Sequence, residues 1–154
     1  MQIEYQNDTK LLAVIGDPIG HSLSPLLQNT MLRKLGLNYL YLACPVAPGG
    51  FPQRLAAEKT MGLAGFNATM PHKLDLFPLL DVLTPAAKRN GAVNTVRRVG
   101  VRLIGHNTDG IGFASSLQDA ECGFSGAHVT VLGAGGAASA IVRQAIDDGA
   151  ASVT

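Results

Sequence analysis

The chain has 154 residues, of which 47% are hydrophobic and 15% charged, and its formal net charge is +1. This length suits one domain with a sizeable core, and a charged fraction below the usual ~25% suggests that part of the surface is normally covered. The sequence contains no block of like charge that would indicate nucleic-acid binding. It also contains no apolar run of the roughly 18 residues that span a bilayer. The polar first ten residues do not resemble a signal peptide, so we expect a cytoplasmic protein without nucleic-acid or membrane partners.

The first half of the chain predicts alternating strands and helices. Residues 11–15 form a buried strand, and after a polar loop Ser24 caps a helix with Pro25 at its first position and Gly36 at its end. The next expected elements are a strand over 39–46, a helix over 51–60, a strand over 64–69, a short helix after Pro71 that Pro78 ends, and another from Thr84-Pro85 to Arg89.

The second half begins with a predicted β-hairpin, since residues 93–98 and 101–105 flank Val99-Gly100. A helix is expected from Thr108-Asp109 to about Ala120, followed by a linker over 123–126. Residues 128–132 then predict a buried strand, a helix follows from Ser139, and residues 151–154 open another strand.

A glycine-rich loop, Gly133-Ala134-Gly135-Gly136-Ala137-Ala138, joins that strand to its helix. In this context a G-x-G-G run is typical of the turn that holds a dinucleotide pyrophosphate, and it lacks the G-K-[ST] ending of a P-loop. The predicted fold class is therefore α/β. A substrate domain with a mostly parallel sheet, flanking helices and one antiparallel element precedes the first strand–loop–helix of a Rossmann dinucleotide-binding domain. The predicted units are a substrate-binding catalytic domain over 1–108, a linking helix and hinge over 109–126, and an incomplete cofactor domain over 127–154.

Four polar segments interrupt the apolar pattern where strands end or helices begin, which is where α/β proteins place their sites. In the first, over 21–25, Ser22 and Ser24 stand beside a helix N-terminus and could hold a carboxylate. The alternative is that Ser24 is only a helix cap and Ser22 a loop residue.

The second and third segments cover residues 65–73 and 91–95. The two-residue period of a strand places Asn67 and Thr69 on one face, and Lys73 follows in the first turn of the next predicted helix. A lysine is electrostatically disfavoured there, so it is either an ordinary surface residue or a donor to an alcohol or carbonyl oxygen. Asn94 stands in an apolar strand, where its amide needs a buried partner or a polyol ligand.

The fourth segment, over 105–113, contains Thr108 and Asp109, either of which could simply cap a helix. Alternatively, the Asp109 carboxylate could share a substrate hydroxyl with Lys73. Such a couple suits hydride chemistry, because a carbonyl oxygen becomes anionic as hydride adds to its carbon and must then receive a proton.

No metal is expected, because metal-ligand spacing is missing among the four histidines, His21, His72, His106 and His128. The two cysteines, Cys44 and Cys122, have no redox spacing either, and we expect them to be buried free thiols.

Taken together, these segments resemble the shikimate dehydrogenase family. The matching stretches, in chain order, are G-D-P-I-G-H-S-L-S-P, N-A-T-M-P-H-K, G-A-V-N-T, N-T-D-G-x-G-F and G-A-G-G-A-A. Each motif alone is weak, but five in order are highly specific. The resemblance implies the reversible reduction of 3-dehydroshikimate to shikimate in aromatic amino-acid biosynthesis, with NADP as the cofactor and NAD as the alternative.

The resemblance also implies roles for individual residues. Lys73 and Asp109 would be the catalytic pair, with Lys73 as the proton donor, and Ser22 and Ser24 would bind the substrate carboxylate. The same substrate site would include Asn67, Thr69 and Asn94, and the cofactor pyrophosphate would meet Gly133, Gly135, Gly136, Ala137 and Ala138.

Gln28 stands where many members carry a histidine, and Ala68 replaces a common valine. Residues 28–29 and 83–88 look closer to the quinate/shikimate branch, so quinate joins shikimate as an expected substrate. Because family members continue well past Thr154, we expect this chain to have little or no dehydrogenase activity alone. It could instead act as a shikimate-binding module, and exposed apolar surface predicts a homodimer.

Overall fold

The computed structural model describes residues 5–154, except for the side chains of residues 58–61. Its strands are β1 (Lys10–Gly16), β2 (Tyr39–Pro45), β3 (Gly65–Ala68), β4 (Val82–Leu83), β5 (Thr95–Val99), β6 (Arg102–His106), β7 (His128–Val129) and β8 (Ser152–Val153). Its α-helices are α1 (Ser24–Lys34), α2 (Phe51–Met61), α3 (Pro85–Asn90), α4 (Asp109–Asp119) and α5 (Gly136–Asp147).

The main sheet has the strand order β2-β1-β3-β5-β6-β4. Neighbouring strands are parallel except at β5, which runs antiparallel to both β3 and β6. This reversal comes from the predicted hairpin, whose turn contains Gly100 with φ +60°, a conformation that glycine adopts without steric cost. The predicted fold class, a mixed α/β domain with a mainly parallel sheet and flanking helices, is confirmed.

Strand β1 lies at the centre of the packing because its side chains alternate between two apolar layers. Ala13 and Ile15 join a core cluster on one face, to which α2 contributes Phe51 and Leu55. Val14 joins the smaller cluster on the other face, where α1 packs. A strand buried on both faces needs an almost continuous apolar sequence, and KLLAVIG supplies it.

One sequence-based expectation is wrong, and one strand was missed. Residues 70–76 form successive turns and Phe77–Leu79 a short 3₁₀ helix, in place of the α-helix expected after Pro71. Pro78 has no backbone N–H to continue an α-helical ladder, which limits any helix here to the tighter, shorter form. Strand β4 was not expected, since two residues are too few to show a period.

The helix ends follow the expected chemistry in part. Thr84 caps α3 by accepting the N–H of Ala87, and Gly91 ends that helix with φ +61°. Ser24, expected as the cap of α1, is instead its first helical residue after Leu23 at the N-cap position. The Ser24 N–H donates 3.2 Å to the Ser22 hydroxyl oxygen, so Ser22 is the serine that satisfies this helix end.

A second, smaller unit follows α4, in which β7 and β8 pair in parallel and α5 connects them. The strand expected over 128–132 is shorter than predicted, and α5 begins at Gly136 instead of Ser139 because Gly135 already serves as its N-cap. Helix α5 packs closely on α4: a Cβ at Gly110 would lie 2.7 Å from the Ala140 carbonyl oxygen. Within the part of the chain that the structure describes, no helix has the length and apolarity needed to cross a bilayer.

Candidate functional site

The predicted polar segments come together at one edge of the main sheet. Strands β1, β3 and β6 run in the same direction, so their carboxyl ends share this edge, and the reversed β5 begins there. Ser22 follows β1, Lys73 follows β3, Asn94 precedes β5 and Asp109 follows β6. A ligand site at the carboxyl ends of parallel strands is the usual arrangement in open α/β sheets.

Lys73 and Asp109 form an ion pair, with 2.6 Å between the Lys73 Nζ and the Asp109 Oδ2, and each side chain is 22% exposed. Asp109 is the first residue of α4, where the helix dipole favours a negative charge, and its backbone N–H donates to the Asn107 Oδ1. Lys73 lies in the turns after β3 and not in a helix, so its expected conflict with a helix dipole does not exist. The pair offers an ammonium donor that a carboxylate holds in place.

Asn94 connects this pair to the sheet and is 8% exposed. It lies one residue before β5, and not inside a strand as expected, although its backbone groups still bond to His106 and Ala68 at the sheet edge. The Asn94 Nδ2 donates to the Asp109 Oδ1 at 2.7 Å and to the Thr108 hydroxyl at 2.9 Å. Asp109 thus has one carboxylate oxygen toward Asn94 and the other toward Lys73.

Asn67 lies one step further from the pair. Its Nδ2 donates to the Thr95 hydroxyl and the Asn94 carbonyl oxygen, and its Oδ1 accepts the Tyr41 hydroxyl at 2.7 Å. Burial raises the pKa of Tyr41 to about 12, so this hydroxyl keeps its proton at any ordinary pH. A groove of about 190 Å³ runs along this face, and its lining includes Gln28, Tyr41 and Asn67.

Ser22, Ser24 and Thr69 lie at the same sheet edge but are not part of this hydrogen-bond network. The Ser22 oxygen accepts the Ser24 N–H, which leaves the hydrogen of the Ser22 hydroxyl available to a ligand. Thr69 follows β3 directly, and its methyl group lies so close to Gly16 that a Cβ at that glycine would be 2.5 Å away. The glycine therefore lets the loop after β1 approach Thr69.

The glycine-rich loop before α5 fits a phosphate group. Gly133 has φ +117°, which suits only glycine, and added Cβ atoms at Gly133, Gly135 and Gly136 would meet nothing within 4 Å. No side chain caps the first turn of α5, which also contains no acidic residue. No side-chain cap or acidic residue of this helix therefore occupies the positive end of its dipole, which favours an anion.

The histidines and cysteines play other parts. His72 is fully buried, with its Nε2 2.7 Å from the Val46 carbonyl oxygen and its ring 4.9 Å from that of Phe51, which is a core position. Among the described residues, no group of three or more histidine, cysteine or acidic side chains could hold a metal ion. Cys122 is exposed, contrary to expectation, while Cys44 is partly buried.

Sequence reasoning missed Tyr41, Thr95 and Thr108 as members of this network. Thr95 and Thr108 did carry a signal, because each is a polar residue beside one that was singled out. Tyr41 carried none, since a tyrosine in a strand is an ordinary β-former. Another cavity, of about 240 Å³, lies between α3 and α5 and is not lined by Lys73 or Asp109, so hydrogen-bond geometry and not cavity size identifies the site.

Comparison with known proteins agrees with this geometry. Residues 14–96 match the family described as "Shikimate dehydrogenase substrate binding domain". A shikimate dehydrogenase (NADP(+)) of Geobacter metallireducens is 48% identical over 147 residues, which are 94% of this chain and 51% of that protein. A Listeria monocytogenes shikimate 5-dehydrogenase, solved in complex with shikimate and NAD, is 40% identical with a TM-score of 0.92, over 99% of this chain and 53% of that one. A ligand-free 5-ketofructose reductase of a Gluconobacter strain is 34% identical with a TM-score of 0.88, over 96% of this chain and 53% of its own. The chain spans about half the length of the curated relatives it matches.

Proposed function

Because this chain belongs to the shikimate dehydrogenase family, we propose that it supplies the substrate site of an enzyme that reversibly reduces 3-dehydroshikimate to shikimate. The observation that carries this proposal is the Lys73–Asp109 ion pair of 2.6 Å, which Asn94 holds from the sheet edge. We propose further that the protein acts in aromatic amino-acid biosynthesis and that it is cytoplasmic.

The chemistry proposed for the pair follows from its geometry. When the substrate carbonyl carbon gains a hydride, its oxygen becomes an alkoxide that needs a proton. The Lys73 ammonium donates that proton, and Asp109 keeps the ammonium oriented toward the site. In the oxidative direction Lys73 takes the proton back from the hydroxyl.

The remaining predicted residues orient a ring that carries hydroxyls and one carboxylate. Ser22 and Ser24 bind the carboxylate beside the N-terminus of α1, where N–H groups and the helix dipole favour an anion. Thr69, Asn94 and Asn67 bind ring hydroxyls; both amide hydrogens of Asn94 are donated within the protein, so a ligand hydroxyl would replace the Thr108 hydroxyl as its partner. Of these, Asn67 has one free lone pair on its Oδ1 for this purpose, since both of its amide hydrogens are already donated.

The cofactor of the proposed reaction is NADP, with NAD as the alternative, and it would supply the hydride when bound. Gly133, Gly135, Gly136, Ala137 and Ala138 would hold its pyrophosphate, and the open space and uncapped N–H groups at the start of α5 support this assignment. We assign residues 1–108, of which 1–4 lie outside the described residues, to the substrate domain, 109–126 to a linking helix and hinge, and 127–154 to the start of the cofactor domain.

A titration calorimetry experiment on the purified chain tests the substrate site. Shikimate is expected to bind weakly, and Ser22→Ala with Ser24→Ala should weaken binding by roughly 10- to 100-fold, the usual range for hydrogen bonds to a charged group. The matched control is Ser115→Ala with Ser116→Ala in exposed turns of α4, which should leave the affinity unchanged. Equal affinity of the two double variants would contradict the carboxylate assignment.

The same chain is expected to have little or no dehydrogenase activity by itself, and the alternative that we propose for the isolated chain is a shikimate-binding module. The two strands β7 and β8 pair through only two residues each, which is a small platform for a dinucleotide. Steady oxidation of NADPH with 3-dehydroshikimate by the isolated chain would contradict this expectation.

Quinate is the second candidate substrate. The observation that favours it is the position of Gln28 in the groove beside Asn67, where its amide can meet an additional hydroxyl. Calorimetry with quinate and with shikimate, on the parent chain and on Gln28→Ala, distinguishes the two substrates. If quinate is a substrate, Gln28→Ala should weaken the binding of quinate and leave the binding of shikimate unchanged.

A homodimer is the proposed assembly. Helix α1 and its N-cap residue expose apolar side chains that a dimer would cover: Leu23, Leu26, Leu27 and Met31. Light scattering at increasing concentration is expected to show dimers, and a strict monomer would contradict the proposal.

A further inference from the structure

We propose that Tyr41 is a positioning residue for this site: its buried hydroxyl starts a hydrogen-bond chain through Asn67 and Thr95 that holds Asn94 against Asp109. A role of these hydrogen bonds in catalysis rests on the function proposed above, whereas the hydrogen bonds themselves do not depend on that function. Tyr41 lies in β2, two strands away from β3, and does not reach the Lys73–Asp109 pair itself.

The first link is the Tyr41 hydroxyl, on a side chain that is 3% exposed. It donates 2.7 Å to the Asn67 Oδ1. The direction of this bond is fixed, because the Asn67 Nδ2 faces two acceptors, the Asn94 carbonyl oxygen at 3.2 Å and the Thr95 hydroxyl at 3.0 Å. Turning the amide over would place its oxygen against the Asn94 carbonyl oxygen, so Asn67 needs a donor at its Oδ1, and Tyr41 is that donor.

The second link is Thr95. Since its hydroxyl oxygen accepts from Asn67, its own hydrogen goes to the Asn94 Oδ1 at 2.9 Å. The Asn94 Oδ1 also accepts the Thr108 N–H at 3.0 Å, so the Asn94 amide nitrogen is turned toward the Asp109 Oδ1. Each of these groups from Tyr41 to Asn94 therefore donates to the next one toward Asp109. The series of hydrogen bonds ends on the carboxylate that holds Lys73.

Tyr41 is itself fixed to the other side of the site. The Asn29 side chain in α1 pairs with its backbone like a neighbouring strand: the Asn29 Oδ1 accepts the Tyr41 N–H, and the Asn29 Nδ2 donates to the Tyr41 carbonyl oxygen. The same Nδ2 donates to the Pro25 carbonyl oxygen in the first turn of α1. Tyr41 thus joins α1, which begins at Ser24, to the amides that hold Asp109.

Hydrogen exchange of the side-chain amides, followed by NMR on the ¹⁵N-labelled chain, tests the proposal without any ligand. Tyr41→Phe keeps the ring and removes the hydroxyl, and the Asn67 and Asn94 amides should then exchange about three- to tenfold faster, as expected for the loss of one buried hydrogen bond. Tyr39→Phe in the same strand is the matched control and should change neither amide. Thr95→Val should accelerate Asn94, and Thr95→Ser should restore it.

The double variant Tyr41→Phe with Thr95→Val separates positioning from general loosening. If Tyr41 acts through Thr95, the Asn94 side-chain amide should exchange no faster in the double variant than in Thr95→Val alone. If the two substitutions acted independently, their effects on that exchange rate would multiply. Acceleration at Asn67 with none at Asn94, or multiplying effects at Asn94, would overturn the proposal. Shikimate affinity, measured separately, should fall severalfold in Tyr41→Phe and remain unchanged in Tyr39→Phe. If the parent chain does not bind shikimate, the proposed function fails. The exchange rates still decide the role of Tyr41 in that case.

Discussion

Replacing Gly110 by alanine tests whether the contact between α4 and α5 is as close as the structure places it. Gly110 is the second residue of α4, and an added Cβ would lie 2.7 Å from the Ala140 carbonyl oxygen and 3.0 Å from the Gln144 Cβ. Overpacking of this kind costs about 1–3 kcal/mol, and the helix preference of alanine over glycine returns up to about 1 kcal/mol. We therefore expect Gly110→Ala to lower the free energy of unfolding by about 1–2 kcal/mol.

Gly112→Ala is the matched control, because Gly112 is in the same helix and an added Cβ there would meet nothing within 4 Å. That variant should gain up to about 1 kcal/mol from helix preference alone. In thermal unfolding followed by circular dichroism, the Tm values of the two variants should therefore shift in opposite directions. Gly110→Ala should lower the Tm by about 2–8 °C. If Gly110→Ala is as stable as Gly112→Ala, the close helix crossing is wrong.

Three further predictions concern charges and the buried phenol. Asp109→Asn removes the counter-ion of Lys73 and should lower the free energy of unfolding by about 1–3 kcal/mol in urea titrations, whereas Asp119→Asn at the exposed end of α4 should change it little; equal effects would contradict the pairing. Because folding raises the Tyr41 pKa from 10.0 to about 12, the folded state holds its proton more tightly, and this contribution is present below pH 10 and lost as the pH rises to 12. The loss is about 2 kcal/mol at pH 12, where the folded phenol is half ionised, and denaturation of Tyr41→Phe at pH 9 and pH 12 should show a smaller drop than the parent chain. Arg89 and Asp147 form an exposed pair of 3.4 Å, so Arg89→Ala should change stability by less than about 1 kcal/mol in the same assay, and a larger loss would show that the pair carries more of the contact between α3 and α5.

The main sheet was predictable because its signals are local. Apolar runs over β1 and β2 and the hairpin around Gly100 follow from strand periods and turn chemistry, and they suffice to predict parallel strands with one reversal. The meeting of Lys73 with Asp109 was predictable for the same reason, since both follow strands that point to one edge.

The errors arose where tertiary contacts decide. Ser24 resembles a helix cap in sequence, but Ser22 performs that task because the preceding loop turns back on itself. Asn94 was placed in a strand by its apolar neighbours, although its side chain is committed to Thr108 and Asp109. Tyr41 could not be recognised from sequence, because a tyrosine in a strand is an ordinary β-former and its contact with Asn67 depends on how the strands pack.

The reversal of β5 has a practical consequence for anyone who works with this protein. Asn94 enters β5 and Asp109 follows β6 at one end of the hairpin, while the turn at Gly100 and Val101 lies at the other end. Val101 is 86% exposed, and exposed loop tips of this kind accept insertions well. A fluorophore, an affinity tag or a fusion partner inserted at this turn would therefore report on the folded chain from the far end of the sheet while leaving the Lys73–Asp109 pair undisturbed.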